Sequence, residues 1–394
     1  MAMTRFPTVP ADPPPWAVPS LLRPPPLKGT VDTDVVVVGD TVAGCQVAAK
    51  LAEDGAKVSI LGQDVVFGLA TCVRGDGLVH SELQDNMERL QASLGPRVAG
   101  ELLVWCQRGA AALGCGTDLL IAAAGEAESG ELQRSLDIRA RSGLASTWLD
   151  GVTLESRWGL KGLFGGYLAA GGAIDPLAPL HDALTRAQSL GVLAYADSPV
   201  LQANQLGARH QLHTAQGTLT ADMVVLCGDH RLSTAWPWLG DKLSPVRLQN
   251  QLRPHASLGV AVSAQFGYLT AAPGMHGVVL GGCRWATPHM ETGEDSPDEI
   301  RSTIDAKIAS SWASRMSTDL GPVGARWSRI ATWTCDGLPI IGPIPGSPTV
   351  VACLGFNGRP WMHTPPAVDT VVQGILDGRA FGLPTCLHPG RFVG

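Results

Sequence analysis

The chain has 394 residues and a mass of 41.2 kDa, with 45% hydrophobic and 16% charged residues. This length accommodates two domains, and this composition excludes broad disorder. A net charge of −6 gives no electrostatic basis for binding nucleic acid or an anionic membrane surface. No run approaches the roughly 18 consecutive apolar residues of a membrane-spanning helix.

Residues 1–30 are rich in proline and contain no apolar core segment, which predicts an extended arm rather than a signal peptide. The nine cysteines are scattered, and none forms a C-x-x-C pair. They indicate small buried side chains in a reducing compartment and no metal site. We therefore expect a cytoplasmic protein.

Residues 33–64, TDVVVVGDTVAGCQVAAKLAEDGAKVSILGQD, predict a β-α-β unit. The four valines form a short buried strand, because a β-branched run closed by a glycine, here Gly39, is typical of such strands. An alanine-rich helix follows and stops at Gly55, and AKVSIL forms the next strand. This order is typical of the opening of a dinucleotide-binding domain.

The remaining elements alternate between helix and strand patterns. In chain order we expect one or two helices and a strand (84–123), mixed short elements, an amphipathic helix (176–191), a polar hairpin leading into the buried run MVVLCG (208–228), several strands (245–285), a charged helix (296–318), and a closing loop, strand and helix that contain TVVACLG.

The fully buried runs DVVVVG, MVVLCG and TVVACLG lie at the start, middle and end of the chain. Strands of this kind belong to a parallel sheet that is covered on both faces. We therefore predict an α/β fold, with a Rossmann-like FAD/NAD(P)-binding domain and an inserted mixed-sheet substrate domain. The expected nucleotide domain spans 31–85, 150–230 and 325–394, and the expected substrate or cap domain spans 86–149 and 231–324.

This order resembles the FAD-dependent D-amino-acid oxidase and glycine oxidase superfamily, and it looks most similar to the gamma-glutamylputrescine oxidase-like branch. The resemblance runs nearly end to end. The segments that carry it are PPLKGTVDTDVVVVG, RGDGLV (74–79), GGYLAAGGAIDPLAPLHDAL, SPV with HTAQGTLTADMVVLC, CDGLPIIGPIPG, and GFNGRP.

The resemblance implies FAD as cofactor and a set of residues that contact it. These are Gly39, Thr41 and Gly44 in the first turn, Gln63 after the second strand, Arg74, Gly75 and Gly77 in the RGDG loop, Val200 on the adenine side, and Gly342, Gly355, Asn357 and Gly358 in the C-terminal segments.

Several residues depart from the dinucleotide fingerprint. Its middle glycine, which lets the backbone approach the pyrophosphate, is Thr41, and we expect this β-branched side chain to project towards the phosphates. Asp40 adds negative charge beside the helix N-terminus. The acid expected about 20 residues further on, which holds the ribose, falls on Gly62, with Gln63 and Asp64 nearby. A weakened FAD site and a lost one both stay open.

The resemblance implies oxidation of the C–N bond of an amine or amino acid to an imine, by hydride transfer to the flavin. Arg284, Arg359 and Trp361 are candidate substrate or flavin contacts. The alternative is a surface ion pair for Arg284, filling of the flavin space for Arg359, and core packing for Trp361. The rival function is a flavin-free descendant. It would be either a redox-neutral enzyme on an amine-like or ring-forming substrate, or a non-catalytic subunit of an oxidase complex.

Other partners follow from these two functions. We expect a small-molecule amine or amino acid as the ligand, and a second copy of the chain or an oxidase-complex subunit as the protein partner. A plain NAD(P) dehydrogenase would leave the C-terminal flavin-side segments unexplained.

Overall fold

A computed structural model describes residues 7–16, 23–68, 73–83, 87–116, 118–287, 289–378 and 381–393. The chain forms two compact units. The mixed-sheet unit consists of Met1–Pro15, Arg74–Asp175 and Arg247–Ile330, and the parallel-sheet unit of Trp16–Val73, Pro176–Val246 and Ala331–Gly394.

The strands within the described residues are short to medium in length. The first ten are β1 (Thr8–Pro10), β2 (Gly29–Val38), β3 (Val58–Leu61), β4 (Leu78–Val79), β5 (Leu119–Ala122), β6 (Gly166–Ala169), β7 (Gly172–Ala173), β8 (Leu193–Tyr195), β9 (Gln202–Leu206) and β10 (Arg209–His213). The others are β11 (Gly217–Leu226), β12 (Leu243–Arg253), β13 (Ala261–Ala264), β14 (Leu269–Gly274), β15 (Gly277–Gly282), β16 (Glu299–Arg301), β17 (Ala325–Thr334), β18 (Ile340–Ile344) and β19 (Ser347–Leu354).

The α-helices of the same residues are α1 (Val42–Glu53), α2 (Met87–Leu94), α3 (Pro96–Ala112), α4 (Glu126–Arg141), α5 (Gly151–Trp158), α6 (Ala178–Ser189), α7 (Ser302–Ala313) and α8 (Pro360–Asp377). None of them is both long and apolar enough to cross a bilayer. α4 lies where the sequence indicates only mixed short elements, and α7 is shorter than the predicted 296–318 because β16 takes up residues 299–301.

The parallel-sheet unit is built on the three predicted buried runs. Its sheet has the order β18-β19-β11-β2-β3-β8, with β10 and β9 added on β11. β19, β11, β2, β3 and β8 run parallel, with Val36 opposite Val224 and Val224 opposite Val350. The valine side chains are buried on both faces, and α1 packs against α6 and α8. The predicted Rossmann-like domain is therefore confirmed.

The mixed-sheet unit has a seven-stranded sheet of order β17-β12-β15-β14-β13-β5-β6. Its core includes Leu120, Val262 and Trp312, and α7 packs against β15. The arm contributes β1, which pairs antiparallel with β16.

The compact units divide the chain at points other than the predicted 85, 150, 230 and 325. Residues 74–85 and 150–175 go with the mixed-sheet unit, because β4 pairs with β7 and β6 pairs with β5. Residues 231–246 go with the parallel-sheet unit, where Leu232 and Leu239 lie in the core.

Candidate functional site

The turn between β2 and α1 keeps two of the three fingerprint glycines in their structural roles. Gly39 has a φ of +135°, and a β-carbon there would lie 2.4 Å from the carbonyl carbon of Cys227. A β-carbon on Gly44 would lie 2.3 Å from the carbonyl oxygen of Gly39. Only glycine fits at either position, so the tight turn and the close helix packing are retained.

The middle position of the turn has a different arrangement from the one expected. Thr41 is the N-cap of α1: its Oγ1 accepts a hydrogen bond from Gly44 N (3.1 Å) and donates one to Cys227 O (2.8 Å). The hydroxyl is therefore engaged with the protein and does not point towards a pyrophosphate. It satisfies one of the helix N-terminal N–H groups that would otherwise face a phosphate.

Asp40, next to Thr41, is buried, and its Oδ2 accepts a hydrogen bond from Gly68 N (3.0 Å). Burial, together with the charge of Asp64, raises the pKa of Asp40 to about 7, against the opposing effects of the Gly68 hydrogen bond and Arg231. A carboxyl group therefore lies beside the start of α1, where a phosphate would require positive or neutral surroundings.

The position of the ribose-binding acid is covered by an aromatic ring. Gly62 directly follows β3, and a β-carbon there would lie 2.7 Å from Phe67 Cε2 and 3.0 Å from Asp40 Cβ. Phe67 itself is fully buried. Position 62 could hold an acidic side chain only if the Phe67 ring moved away.

The two residues after Gly62 do not replace the missing acid. A β-carbon on Gly228 would lie 3.1 Å from Gln63 Nε2, so this amide packs against the end of β11. Asp64 Oδ1 pairs with Arg231 Nη1 (2.9 Å), and Arg231 Nη2 pairs with Asp229 Oδ2 (2.6 Å). Burial alone would raise the pKa of Asp229, but its hydrogen bonds with Arg231 outweigh burial and lower it.

The C-terminal segments are held by their own side chains. A β-carbon on Gly355 would lie 2.5 Å from Thr334 Cγ2. Asn357, which has a φ of +50°, accepts hydrogen bonds from Thr334 N (2.8 Å) and Thr334 Oγ1 (3.1 Å) and donates one to Gly355 O (2.8 Å). Gly342 packs against His388 and Pro389. The amide of Asn357 therefore fastens this loop to β17.

We expect Asn357→Ala to lower the free energy of unfolding by about 2 to 4 kcal/mol, because the buried Thr334 N–H loses its acceptor and alanine disfavours positive φ. Asn357→Gly keeps the backbone conformation and should cost less. Urea unfolding of both variants measures the difference, and equal losses would contradict the contribution of backbone strain.

Arg359 and Trp361 lie at the start of α8, and both are buried. The neighbouring His363 stacks on Phe356, with ring centroids 5.8 Å apart. Burial and the charge of Arg359 lower the pKa of His363 to about 3, so this imidazole is neutral. Gly358, which has a φ of +76°, precedes Arg359. The positively charged residue Arg359 is therefore the N-cap of α8.

Of the remaining predicted cofactor residues, Arg74 and Val200 have contacts within their own units. In the mixed-sheet unit, Arg74 Nη1 donates to Pro297 O (2.9 Å), and Arg74 Nη2 pairs with Asp298 (3.2 Å). Between Gly75 and Gly77, Asp76 Oδ1 accepts from Leu78 N (3.1 Å). In the parallel-sheet unit, Val200 is part of the apolar core.

Arg284 lies in a short helical turn after β15, in the mixed-sheet unit. Its guanidinium is 5.6 Å from the ring of Tyr268, and its Nη1 is 3.4 Å from Thr292 Oγ1. The next residue, Trp285, is exposed and stacks under Lys307. Arg284 is therefore a half-buried residue of a surface turn.

The strand, turn and helix of the predicted dinucleotide-binding unit are present, with the buried carboxyl group of Asp40 next to the N-cap of α1 and the buried ring of Phe67 against Gly62. Phe67 and Arg231, which produce this arrangement, escaped prediction from the sequence. Only the contact of Phe67 with Gly62, and of Arg231 with Asp64, gives them their role.

Comparisons with known proteins agree with this architecture. The family model described as FAD dependent oxidoreductase matches residues 34–372. No curated protein is significantly similar to the chain.

Solved structures share the fold. Glycine oxidase from Geobacillus kaustophilus is 19% identical, with 92% of this chain and 100% of that chain covered and a TM-score of 0.74. L-amino acid deaminase from Proteus myxofaciens is 17% identical, with 98% of each chain covered and a TM-score of 0.73. L-proline dehydrogenase from P. horikoshii is 16% identical, with 93% and 98% covered and a TM-score of 0.70. At such identities the likeness establishes the fold alone.

Proposed function

Because the chain belongs to the FAD-dependent oxidoreductase family, we propose that it oxidises the C–N bond of a small amine or amino acid to an imine. The observation that carries this proposal is the extent of the family match, which includes segments of both compact units and not only the nucleotide-binding-like part. Structural neighbours named as a glycine oxidase, an L-proline dehydrogenase and an L-amino acid deaminase support the same substrate class.

In this family the flavin supplies the hydride acceptor. The ribose and phosphate positions of this chain do not fit FAD in the family's pose, so we derive no reaction step through it. The chain's own contribution is recognition of the substrate.

Arg359 is our candidate for that recognition. Its positive charge lies beside the N-terminus of α8, and both features favour an anionic group such as a carboxylate. Trp361, one residue into the helix, would supply an apolar wall. Arg284, which belongs to the mixed-sheet unit, is the alternative candidate for this role.

We expect Arg359→Gln to raise KM at least tenfold for an amino acid, and to leave KM for a matched amine without a carboxylate nearly unchanged. Arg359→Lys, which keeps the charge, should recover part of the loss. Steady-state kinetics on both substrates measure this. Equal changes for the two substrates would mean that Arg359 fills space instead of binding a carboxylate.

A flavin-free function is the second candidate, and the burial of Phe67 against Gly62 favours it. The chain would then be a redox-neutral enzyme on an amine-like or ring-forming substrate, or a non-catalytic subunit of an oxidase complex.

Absorbance spectra of the purified protein, before and after addition of excess FAD, distinguish the two candidates. Flavin bands perturbed by the protein, followed by turnover in an amine and amino-acid screen with FAD in excess, would support oxidation. A protein that leaves the spectrum of added FAD unchanged would eliminate oxidation by FAD and favour the second candidate. Gel filtration of the same sample tests for the predicted self-association.

A further inference from the structure

We infer that residues 62–68, the β3 loop, are an internal occupant of the ribose side of the dinucleotide cleft, and that FAD binds there only when this loop is displaced. The inference rests on the geometry of the parallel-sheet unit and on family membership. It does not depend on C–N oxidation.

The β3 loop lies where a dinucleotide would bind. In the sheet order, β2 has β3 on one side and β11 on the other, so the direction of strand addition reverses at β2. Ligands of such sheets bind beyond the carboxyl ends of the strands at this reversal. The β3 loop directly follows β3, and Gly62 and Asp64 lie at this edge.

The backbone of the loop at Gly62 and Asp64 is held by hydrogen bonds, so it cannot easily move away from the Phe67 ring. Gly62 N donates to Tyr195 O (2.7 Å), and Gly62 O accepts from Ser198 N (2.9 Å). Asp64 O accepts from Asp197 N (2.9 Å). The loop is therefore hydrogen-bonded along the segment after β8, and a conflict between Phe67 and a side chain at position 62 has to be relieved by Phe67.

Phe67 is held in place from its other side. Its neighbour Gly68 donates to the carboxyl group of Asp40 and accepts from Val73 N (2.9 Å). The ring is fully buried, and Val66 beside it is buried as well. Burial of a phenylalanine side chain stabilises the fold, so the loop has a preferred position without any ligand.

Two side chains, Arg231 and Thr41, link neighbouring strands at the carboxyl-end edge of the sheet. Arg231 joins Asp64 of the β3 loop to Asp229, which follows β11. Thr41 joins the turn after β2 to Cys227 O. The carboxyl ends of β2, β3 and β11 are thus linked by the chain's own side chains at the place where the cofactor would lie between them.

The occupant, and not the missing acid, therefore limits FAD binding. Gly62→Glu alone would add a β-carbon 2.7 Å from Phe67 Cε2, so restoring the fingerprint acid should not restore affinity. Removing the ring should increase affinity even while Gly62 remains.

FAD titration, followed by flavin fluorescence, tests this on the full chain. We expect Phe67→Ala to raise the FAD association constant at least tenfold over the wild type, Gly62→Glu to give no increase, and the double variant to bind at least as tightly as Phe67→Ala. Phe381→Ala is the matched control, because Phe381 also packs on a glycine of the parallel-sheet unit, Gly374. It should leave FAD affinity unchanged.

Two results would overturn the inference. One is a wild-type protein that retains stoichiometric FAD through gel filtration, and the other is a folded Phe67→Ala variant that binds FAD no better than the wild type. If circular dichroism shows that Phe67→Ala does not fold, Phe67→Leu decides, because it keeps an apolar side chain at position 67 but removes the ring that contacts Gly62. It should raise affinity severalfold, and no increase would refute the inference. Amine turnover is a separate measurement, so its failure would not be confused with failure here.

Discussion

Replacing Glu291 by glutamine should lower the free energy of unfolding by about 3 to 5 kcal/mol, the largest effect that we expect from a single substitution. Glu291 is fully buried in the mixed-sheet unit, where Arg247 donates to both of its oxygens (2.9 and 3.2 Å) and Arg301 to one of them. Gln249 Nε2 adds a further hydrogen bond (2.9 Å). Glutamine would leave two buried guanidinium groups without the buried carboxylate to which both of them donate.

Burial alone would raise the pKa of Glu291, but the hydrogen bonds from Arg247 and Arg301 outweigh burial and lower it. The carboxylate's contribution to stability is therefore complete above its ordinary pKa of 4.5 and is lost as the pH falls through the lower folded value.

Urea unfolding at neutral pH measures the loss. Glu294→Gln is the matched control, because Glu294 lies 3.8 Å from Arg247 at the exposed rim of the same cluster and should cost at most about 1 kcal/mol. Similar losses for Glu291 and Glu294 would show that the buried network contributes little.

Asp40→Asn should stabilise the protein, and the gain should depend on pH. Because the pKa of Asp40 rises from 3.8 to about 7 on folding, the native state binds its proton more tightly than the unfolded state does. Stability from this group is complete below the unfolded value and is lost as the pH rises towards 7. The full difference corresponds to about 4 kcal/mol at most.

Asparagine keeps an acceptor for Gly68 N and carries no charge. We therefore expect a gain of up to about 4 kcal/mol at pH 8, which shrinks as the pH falls and vanishes near pH 4. Urea unfolding across this range measures it, with the exposed Asp54→Asn as control. A destabilised Asp40→Asn at pH 8, or a gain that does not vary with pH, would contradict a raised pKa.

The sequence by itself determined the parallel sheet and its opening turn. The valine-rich runs at β2, β11 and β19 are buried on both faces. Short, continuous runs of β-branched residues are typical of strands in a parallel sheet that is covered on both faces. Gly39 and Gly44 have local steric reasons that spacing along the chain reveals. These features depend on residues that are close in sequence, so the sequence pattern predicts them.

Only the tertiary structure decided what occupies the cofactor cleft. The sequence predicts that the Thr41 side chain projects towards the phosphates, but its hydroxyl donates to Cys227 O, 186 residues away. The sequence also leaves Asp64 as a possible ribose contact, but Arg231 pairs with it from 167 residues away. α4 also escaped prediction, because its polar sequence lacks a clear apolar face. Contacts between distant segments leave no periodic signal, so the role of Phe67 emerges only where the folded chain presses its ring onto Gly62.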